Sequence, residues 1–163
     1  WCADGPEGVA PGLAIASAVS RHTTIRGHLA DGRAALDGLL ARAGGDLDPA
    51  LRVRATKAAA VLAFHASDYA AAARLYGQAL PIAKGLGDDA GVADAEAGLA
   101  KVAFRRREFD EALRLGERAL TEFRRLGDTL GAANALVALG IVHADRGESA
   151  AARACYEEGM PLL

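Results

Sequence analysis

Histidines and cysteines are the residues of this sequence most able to hold a metal ion. The four histidines are His22, His28, His65 and His143. A metal site on a helix needs two histidines at positions i and i+4, or a closely spaced pair of cysteines. No two of the histidines have that spacing, and Cys2 and Cys155 lie at opposite ends of the chain. We therefore expect no metal centre, and we interpret Cys155 as a small core residue of a reduced, cytoplasmic protein.

One glycine-containing segment, Lys84–Asp89, could suggest a phosphate-binding loop. Such a loop requires glycines followed by lysine and then serine or threonine at the start of a helix. Here the lysine precedes the glycines, and Leu86-Gly87-Asp88 recurs as Leu126-Gly127-Asp128, which is typical of a connector between repeats. The sequence also contains no Gly-x-Ser-x-Gly nucleophile motif. Because no set of residues supplies a nucleophile with an oriented base, we expect neither an enzyme nor a cofactor.

The elements that carry these residues come from an internal repeat. The stretch Arg52–Gly91 recurs as Val92–Gly131, an offset of 40 residues. The matched pairs include Phe64 with Phe104, Ala72 with Ala112, Leu75 with Leu115 and Leu80 with Leu120. Self-similarity at a period of about 20–50 residues is typical of a solenoid, in which similar pairs of elements stack on one another.

Four repeats cover nearly the whole chain. They are 12–51 in degenerate form, 52–91, 92–131 and a truncated 132–163, after a loop or frayed lead-in at 1–11. The 163 residues suit one domain, and the 52% hydrophobic content is mostly alanine and leucine, which favours closely packed helices. No stretch alternates as a half-buried strand does. We predict an all-α fold, a right-handed α-solenoid of antiparallel helix pairs.

Local signals place the ends of these helices. The predicted N-caps are Asp48, Asp68 and Asp88. An aspartate there accepts free backbone N–H groups, and a glycine after the last turn stops a helix. The predicted helices are Leu13–Thr24, Leu29–Ala43, Pro49–Ala66 and Tyr69–Lys84 in the first two repeats. Pro81 lies inside the last of these and should kink or shorten it.

Small residues recur where the helices of each pair should cross. The three sets are Ala72, Ala112 and Ala152 (with Gly32); Ala60, Ala100 and Gly140; and Ala79, Ala119 and Gly159. A small side chain lets two helix axes approach to the close end of the usual range of about 8–10 Å. We therefore expect all three sets to be buried.

This pattern resembles the tetratricopeptide repeat. The fourth repeat carries Leu139-Gly140 in its first helix, Gly147 in the turn and Ala152 in its second helix. The repeat is longer than usual for the family, and the family's early tryptophan and terminal proline are absent. The long form that closes with Leu-Gly-Asp is similar to the repeats of kinesin light chains and of bacterial regulators. The resemblance implies a protein-interaction module whose groove is lined by the first helix of each pair, here called the A-type helix; the second is called the B-type helix.

Helical periodicity then selects the groove residues, because they lie opposite the core position Leu99 and its equivalents. The predicted groove residues are Arg21, Arg54, Lys57, Val61, Phe64, His65, Lys101, Phe104, Arg105, Asn134, Val137 and Ile141. This face has a basic middle and an apolar end, which suits a protein or peptide with an acidic or carboxylate-bearing segment. Asp94 and Asp145 interrupt the basic track, and the net charge is −2, so we do not expect direct binding of nucleic acid or of membranes.

A second resemblance concerns the segment Arg26–Arg33 followed by Leu36 and Leu39-Leu40. It is similar to the C-terminal part of large actinobacterial transcriptional regulators that join a signalling ATPase to such repeats. The chain starts at Trp1 and stops within a repeat, so we expect a fragment of such a regulator, acting as a scaffold or sensor domain that binds a peptide or a neighbouring domain. Two alternatives stay open: self-association through exposed terminal repeat faces, and sensing of a small ligand.

Overall fold

The computed structural model describes residues 9–26, 29–43 and 47–162, with the side chains of 18–26 and 29–30 outside the description. Over these ranges the chain forms α-helices and one short 3-10 helix, Met160–Leu162, without a strand. The α-helices are α1 (Val9–Arg26), α2 (Leu29–Arg42), α3 (Pro49–His65), α4 (Tyr69–Leu86), α5 (Asp89–Arg105), α6 (Phe109–Leu126), α7 (Thr129–Asp145) and α8 (Ser149–Gly159). None of the helices in these ranges combines the length and the apolar character that crossing a membrane requires.

The chain divides into two compact units, Trp1–Gly87 and Asp88–Leu163, called unit 1 and unit 2. In unit 1, α3 packs against α4 and also contacts α1 and α2. In unit 2, α5 pairs with α6 and α7 with α8, while α7 also packs against α6 and contacts α5. Each A-type helix therefore packs beside its B-type partner, as the repeat predicts.

Aspartate caps start the A-type helices as predicted. The backbone N–H of Leu51 donates to Asp48 over 3.1 Å, and that of Gly91 donates to Asp88 over 2.8 Å. Asp68 caps α4 in the same way through Ala71, at 3.0 Å. The glycines after α4 and α6 adopt the left-handed conformation that stops a helix, with φ of 66° at Gly87 and 71° at Gly127. These ends follow from local backbone chemistry.

The structure departs from the lead-in loop expected at 1–11. Helix α1 begins at Val9, so Val9–Pro11 belongs to a helix and not to the lead-in loop. Proline is compatible with the first turn because its missing N–H needs no partner there. Helix α4 continues through Pro81 to Leu86 and is not shortened. Pro81 and Gly77, whose carbonyl loses its helical partner, are both exposed, so water can satisfy that carbonyl.

The small residues at the predicted helix crossings are buried in both units. All nine members of the three sets are buried, whereas Gly32 is only partly buried. A Cβ atom added to Gly140 would lie 2.5 Å from Cε1 of Tyr156, and one added to Gly159 would lie 2.9 Å from Cβ of Leu136. The prediction that small residues mark the helix crossings is therefore confirmed. The turns predicted at Gly27-His28 and Gly44-Gly45-Asp46, together with Cys2, lie outside the described residues.

Candidate functional site

In unit 1, the predicted groove residues follow one side of α3. Arg54 and His65 are exposed, and Lys57, Val61 and Phe64 are partly buried. The ring of Phe64 lies 5.7 Å from that of His65 and 5.6 Å from that of Tyr69, so an aromatic group closes the end of this face. Arg21 belongs to α1, and its side chain lies outside the described part of the chain.

In unit 2, the predicted groove residues come from two helices in contact with each other, α5 and α7. Helix α5 contributes Lys101 and Arg105, both exposed, and α7 contributes Asn134 and Ile141, also exposed. Ile141 keeps 41% of its surface accessible, although it is a large apolar residue. Val137 is partly buried between these positions. The second face thus combines cations from one helix with apolar groups from the next.

Phe104 has a more structural role than the other predicted residues. It is partly buried, and its ring lies 6.2 Å from that of Phe109 at the start of α6. Both rings pack against the buried cluster of Ala103, Ala112 and Val142. Phe104 therefore connects the edge of the A-type face to the core.

The arginines of α6, a B-type helix, differ from Lys101 of the A-type face, because carboxylates hold them. Arg114 of α6 donates two hydrogen bonds to Glu111, over 2.7 and 2.6 Å. The other three arginines of α6 also form ion pairs; they are Arg118, Arg124 and Arg125. By contrast, Lys101 makes no hydrogen bond or ion pair with any other described residue. Its ammonium group is therefore available to a partner.

A buried acidic residue, Glu96, was not anticipated from the sequence. Its carboxylate accepts a 2.5 Å hydrogen bond from Nη2 of Arg118, and only 2% of the side chain is exposed. The 40-residue register places Glu96 in line with Thr56 and Leu136, which are both buried. That alignment is the signal that could have identified it, because a position that holds leucine in the next repeat is a core position.

A second feature missed from the sequence is an open concavity of about 520 Å³ in unit 2. It is formed by the end of α7, by α8 and by the short 3-10 helix, and its lining includes Ala152, Tyr156 and Met160. Met160 is 66% exposed and is the most exposed large hydrophobic residue in the described part of the chain. This surface is separate from the A-type face.

His143 packs at the turn between α7 and α8. It is partly buried, and its Nδ1 atom lies 2.6 Å from Oε2 of Glu148. Glu148 also accepts a 2.8 Å hydrogen bond from Nε of Arg146. The hydrogen bond with His143, followed by that with Arg146, lowers the pKa of the Glu148 carboxyl. The group is a structural clamp on the turn.

Cys155 is partly buried against the core of unit 2, close to the position expected for it. Burial raises the pKa of its thiol, and the carboxylates of Glu158 and Glu117 act in the same direction. The thiol is therefore a poor nucleophile at neutral pH. Among the residues with described positions, no group of three or more His, Cys, Asp or Glu side chains could hold a metal ion.

Comparison with known proteins identifies a repeat family and several similar folds. Residues 91–163 match the family described as tetratricopeptide repeat. The crystal structure of BtubC (BKLC) from P. vanneervenii is similar to the chain, with 22% sequence identity and a TM-score of 0.79. Aspartyl phosphate phosphatase F from Bacillus subtilis has 12% sequence identity and a TM-score of 0.78. A kinesin light chain protein of Podosopora anserina, with nearly identical TPR-like repeats, has 15% and 0.71. No curated protein sequence matches the chain.

The three structural similarities extend over most of the chain. They cover 96%, 94% and 92% of it in the same order, and the chain spans 64%, 40% and 74% of the three solved structures. The predicted all-α fold of the solenoid class is confirmed. Residues 91–163 are similar to the tetratricopeptide repeat.

Proposed function

We propose that this chain, a tetratricopeptide-type domain by its fold, is a protein–protein interaction module that binds through the faces of its A-type helices. The partner is a peptide or a neighbouring domain with a carboxylate-bearing segment. Binding is reversible and involves no covalent chemistry. In line with the second resemblance noted in the sequence, we place the module within a larger cytoplasmic signalling or transcriptional regulator, as a scaffold or sensor.

The single observation that supports this most is the exposure of Lys101 and Ile141 at equivalent positions of α5 and α7. The two residues occupy equivalent positions on α5 and α7, which are in contact. Lys101 is exposed and has no partner among the described residues, while Ile141 is a large apolar side chain at 41% exposure. A free cation and an exposed apolar anchor at equivalent positions of two contacting helices suit a segment that carries both an acidic and an aliphatic residue.

Each contact would contribute modestly to the free energy of binding. Covering the exposed part of Ile141 is worth about 1 kcal/mol at roughly 25 cal/mol per Å². An exposed ion pair at Lys101 adds about 0.2–1 kcal/mol, and salt weakens it. Affinity would therefore depend on several such contacts along the face and would fall as the ionic strength rises.

Charge reversal tests the proposal in each unit separately. The probe is a fluorescein-labelled peptide of alternating leucine and glutamate residues, followed by fluorescence anisotropy at low salt. Lys101→Glu in unit 2 and Lys57→Glu in unit 1 should each raise the Kd about threefold or more, because repulsion replaces attraction. Lys84→Glu is the matched control, since this exposed lysine lies on the B-type helix α4.

The same titrations contain a second comparison. A peptide with glutamine in place of glutamate should bind more weakly than the acidic peptide and should not distinguish Lys101→Glu from the unchanged chain. Equal affinity of the acidic peptide for the unchanged chain and for both groove variants would refute the assignment of the A-type faces.

A further inference from the structure

Two acidic residues interrupt the basic track of the A-type helices, and they differ in what they contact. Asp94 of α5 takes part in an interaction within the chain. Asp145 is the last residue of α7 and is exposed, and its carboxylate makes no hydrogen bond or ion pair with any other described residue. No contact within the described part of the chain therefore accounts for a negative charge at position 145.

The position of Asp145 is also unfavourable for its own helix. The C-terminal end of a helix carries a partial negative charge, which favours basic side chains there and disfavours acidic ones. The 40-residue register aligns Asp145 with His65 and Arg105, the basic residues that end α3 and α5. A charge that breaks a local rule, and that no described contact offsets, indicates a role in binding rather than in folding.

Asp145 lies close to the two groups that carry the proposed function. It follows Ile141 on α7 by four residues, so the two side chains share one side of the helix, about 6 Å apart along its axis. Lys101 occupies the position equivalent to Ile141 on α5, which contacts α7. A cation, an apolar side chain and an anion, all exposed, thus follow one another on the A-type face of unit 2.

The packing of unit 2 shows that stacking of a further helix pair leaves this face accessible. Helix α7 contacts α5, yet Lys101 and Arg105 of α5 remain exposed. Ile141 and Asp145 are the equivalent residues of α7, so a helix stacked on α7 in the same way would leave them exposed too. The exposure of this face is therefore a property of the A-type helices and does not depend on the place of a helix in the stack.

We infer that the A-type face of unit 2 selects a peptide segment in which one aliphatic residue separates an acidic residue from a basic one. The acidic residue pairs with Lys101, the aliphatic residue covers Ile141, and the basic residue pairs with Asp145. Side chains two residues apart on one side of an extended segment are about 7 Å apart, close to the step from Ile141 to Asp145. The inference rests on the proposed function and adds Asp145 to it as the residue that selects the basic side chain.

Three labelled peptides test this selection. They share the core Glu-Ser-Leu-Ser-X and differ only at X, which is lysine, glutamine or glutamate. Each peptide is titrated with the full chain and followed by fluorescence anisotropy at low salt. We expect the lysine peptide to bind most tightly and the glutamate peptide most weakly, with Kd values that differ about threefold or more, as for exposed charge pairs.

Variants of the chain assign the selection to one residue. Asp145→Arg should reverse the order of the peptides, and the variant should fold because α5 carries Arg105 at the equivalent position. Lys101→Glu should weaken all three peptides and keep their order, since Lys101 meets the glutamate that they share. Glu157→Arg is the matched control, because it makes the same change of charge at an exposed residue of the B-type helix α8 that has no partner among the described residues. Circular dichroism checks that each variant keeps its helix content.

Two outcomes would overturn the inference. One is an order of the peptides that Asp145→Arg leaves unchanged. The other is an equal reversal in Glu157→Arg, because the peptides would then respond to the net charge of the chain alone. In either case, a loss of affinity for all three peptides in Lys101→Glu would show that the proposed function stands without Asp145. If that loss is also missing, the proposed function fails for the A-type face of unit 2 as well.

Discussion

The α5–α6 pair and the α7–α8 pair have the same architecture, yet they fill it with different side chains. In the first pair, Ala100 faces Gly116 in an open crossing that Leu139 of the next helix enters. In the second pair, Gly140 faces Tyr156, whose ring fills the same kind of space from within the pair. The comparison shows that the backbone crossing is the constant feature. The side chain that fills the space at the crossing can come from the pair itself or from the neighbouring helix.

Exposure in the two pairs depends on the neighbour more than on residue type. Leu120 and Met160 are both large apolar residues in equivalent positions, but α7 covers only the first. Glu96 and Leu136 also occupy equivalent positions. They differ in charge, yet both are buried. Burial is thus set by the stacking of helices, and the side chains adapt to it.

The largest expected effect concerns Leu120, which is the covered one of the two equivalent residues Leu120 and Met160. Leu120→Ala removes a side chain packed in the core cluster of unit 2 and should lower the free energy of unfolding by about 2–5 kcal/mol. Met160→Ala, the equivalent change in α8, should stay within about 0.5 kcal/mol because the side chain is mostly in water. Urea denaturation monitored by circular dichroism measures both. Equal losses in the two variants would mean that α8 is covered in solution.

The second effect concerns Glu96 and its partner. Arg118→Ala leaves a carboxylate that is 2% exposed without its ion pair, and should cost about 2–3 kcal/mol of unfolding free energy. The double variant with Glu96→Leu should recover most of that loss, because Leu136 occupies the same position in the next pair. Chemical denaturation of the two variants provides the measurement. A double variant no more stable than Arg118→Ala would show that the α5–α6 pair cannot accept the side chain used in α7.

Features that depend on neighbouring residues in the chain were predictable from the sequence. The caps at Asp48, Asp68 and Asp88 need only a short acceptor and the first free N–H groups of a helix. The buried alanines and glycines followed from the 40-residue register alone. The exposure of Lys101 and Ile141 followed from helical periodicity, because residues opposite a core position point away from it.

Features that depend on packing between distant segments were not predictable in this way. Glu96 is satisfied by an arginine 22 residues away, and only the packing of α5 against α6 brings the two together. Helix α4 continues past Pro81, which lies with Gly77 on the exposed side of the helix, and a rule about proline alone does not contain that placement. The uncovered face of α8 likewise becomes visible only when the exposures of Leu120 and Met160 are compared.

The smallest expected effect concerns the turn between the two helices of each pair. Glu148 between α7 and α8 is held by His143 and Arg146, whereas Glu108, its equivalent between α5 and α6, makes no side-chain hydrogen bond or ion pair with any other described residue. Those bonds lower the pKa of Glu148 in the folded state. A carboxyl with a lowered folded pKa stabilises the protein above its unfolded pKa, about 4.3 for glutamate, and that contribution is lost as the pH falls through the folded pKa.

Glu148→Gln should therefore lower the thermal midpoint at pH 7, and the difference from the unchanged chain should shrink as the pH falls below about 4. Glu108→Gln should leave the midpoint nearly unchanged over the same range, because its carboxylate has no partner among the described residues. Thermal melts at several pH values, followed by circular dichroism, compare the two variants. A pH-independent loss in Glu148→Gln would show that the side chain acts through packing, and that the ionised clamp with His143 and Arg146 does not distinguish the two turns.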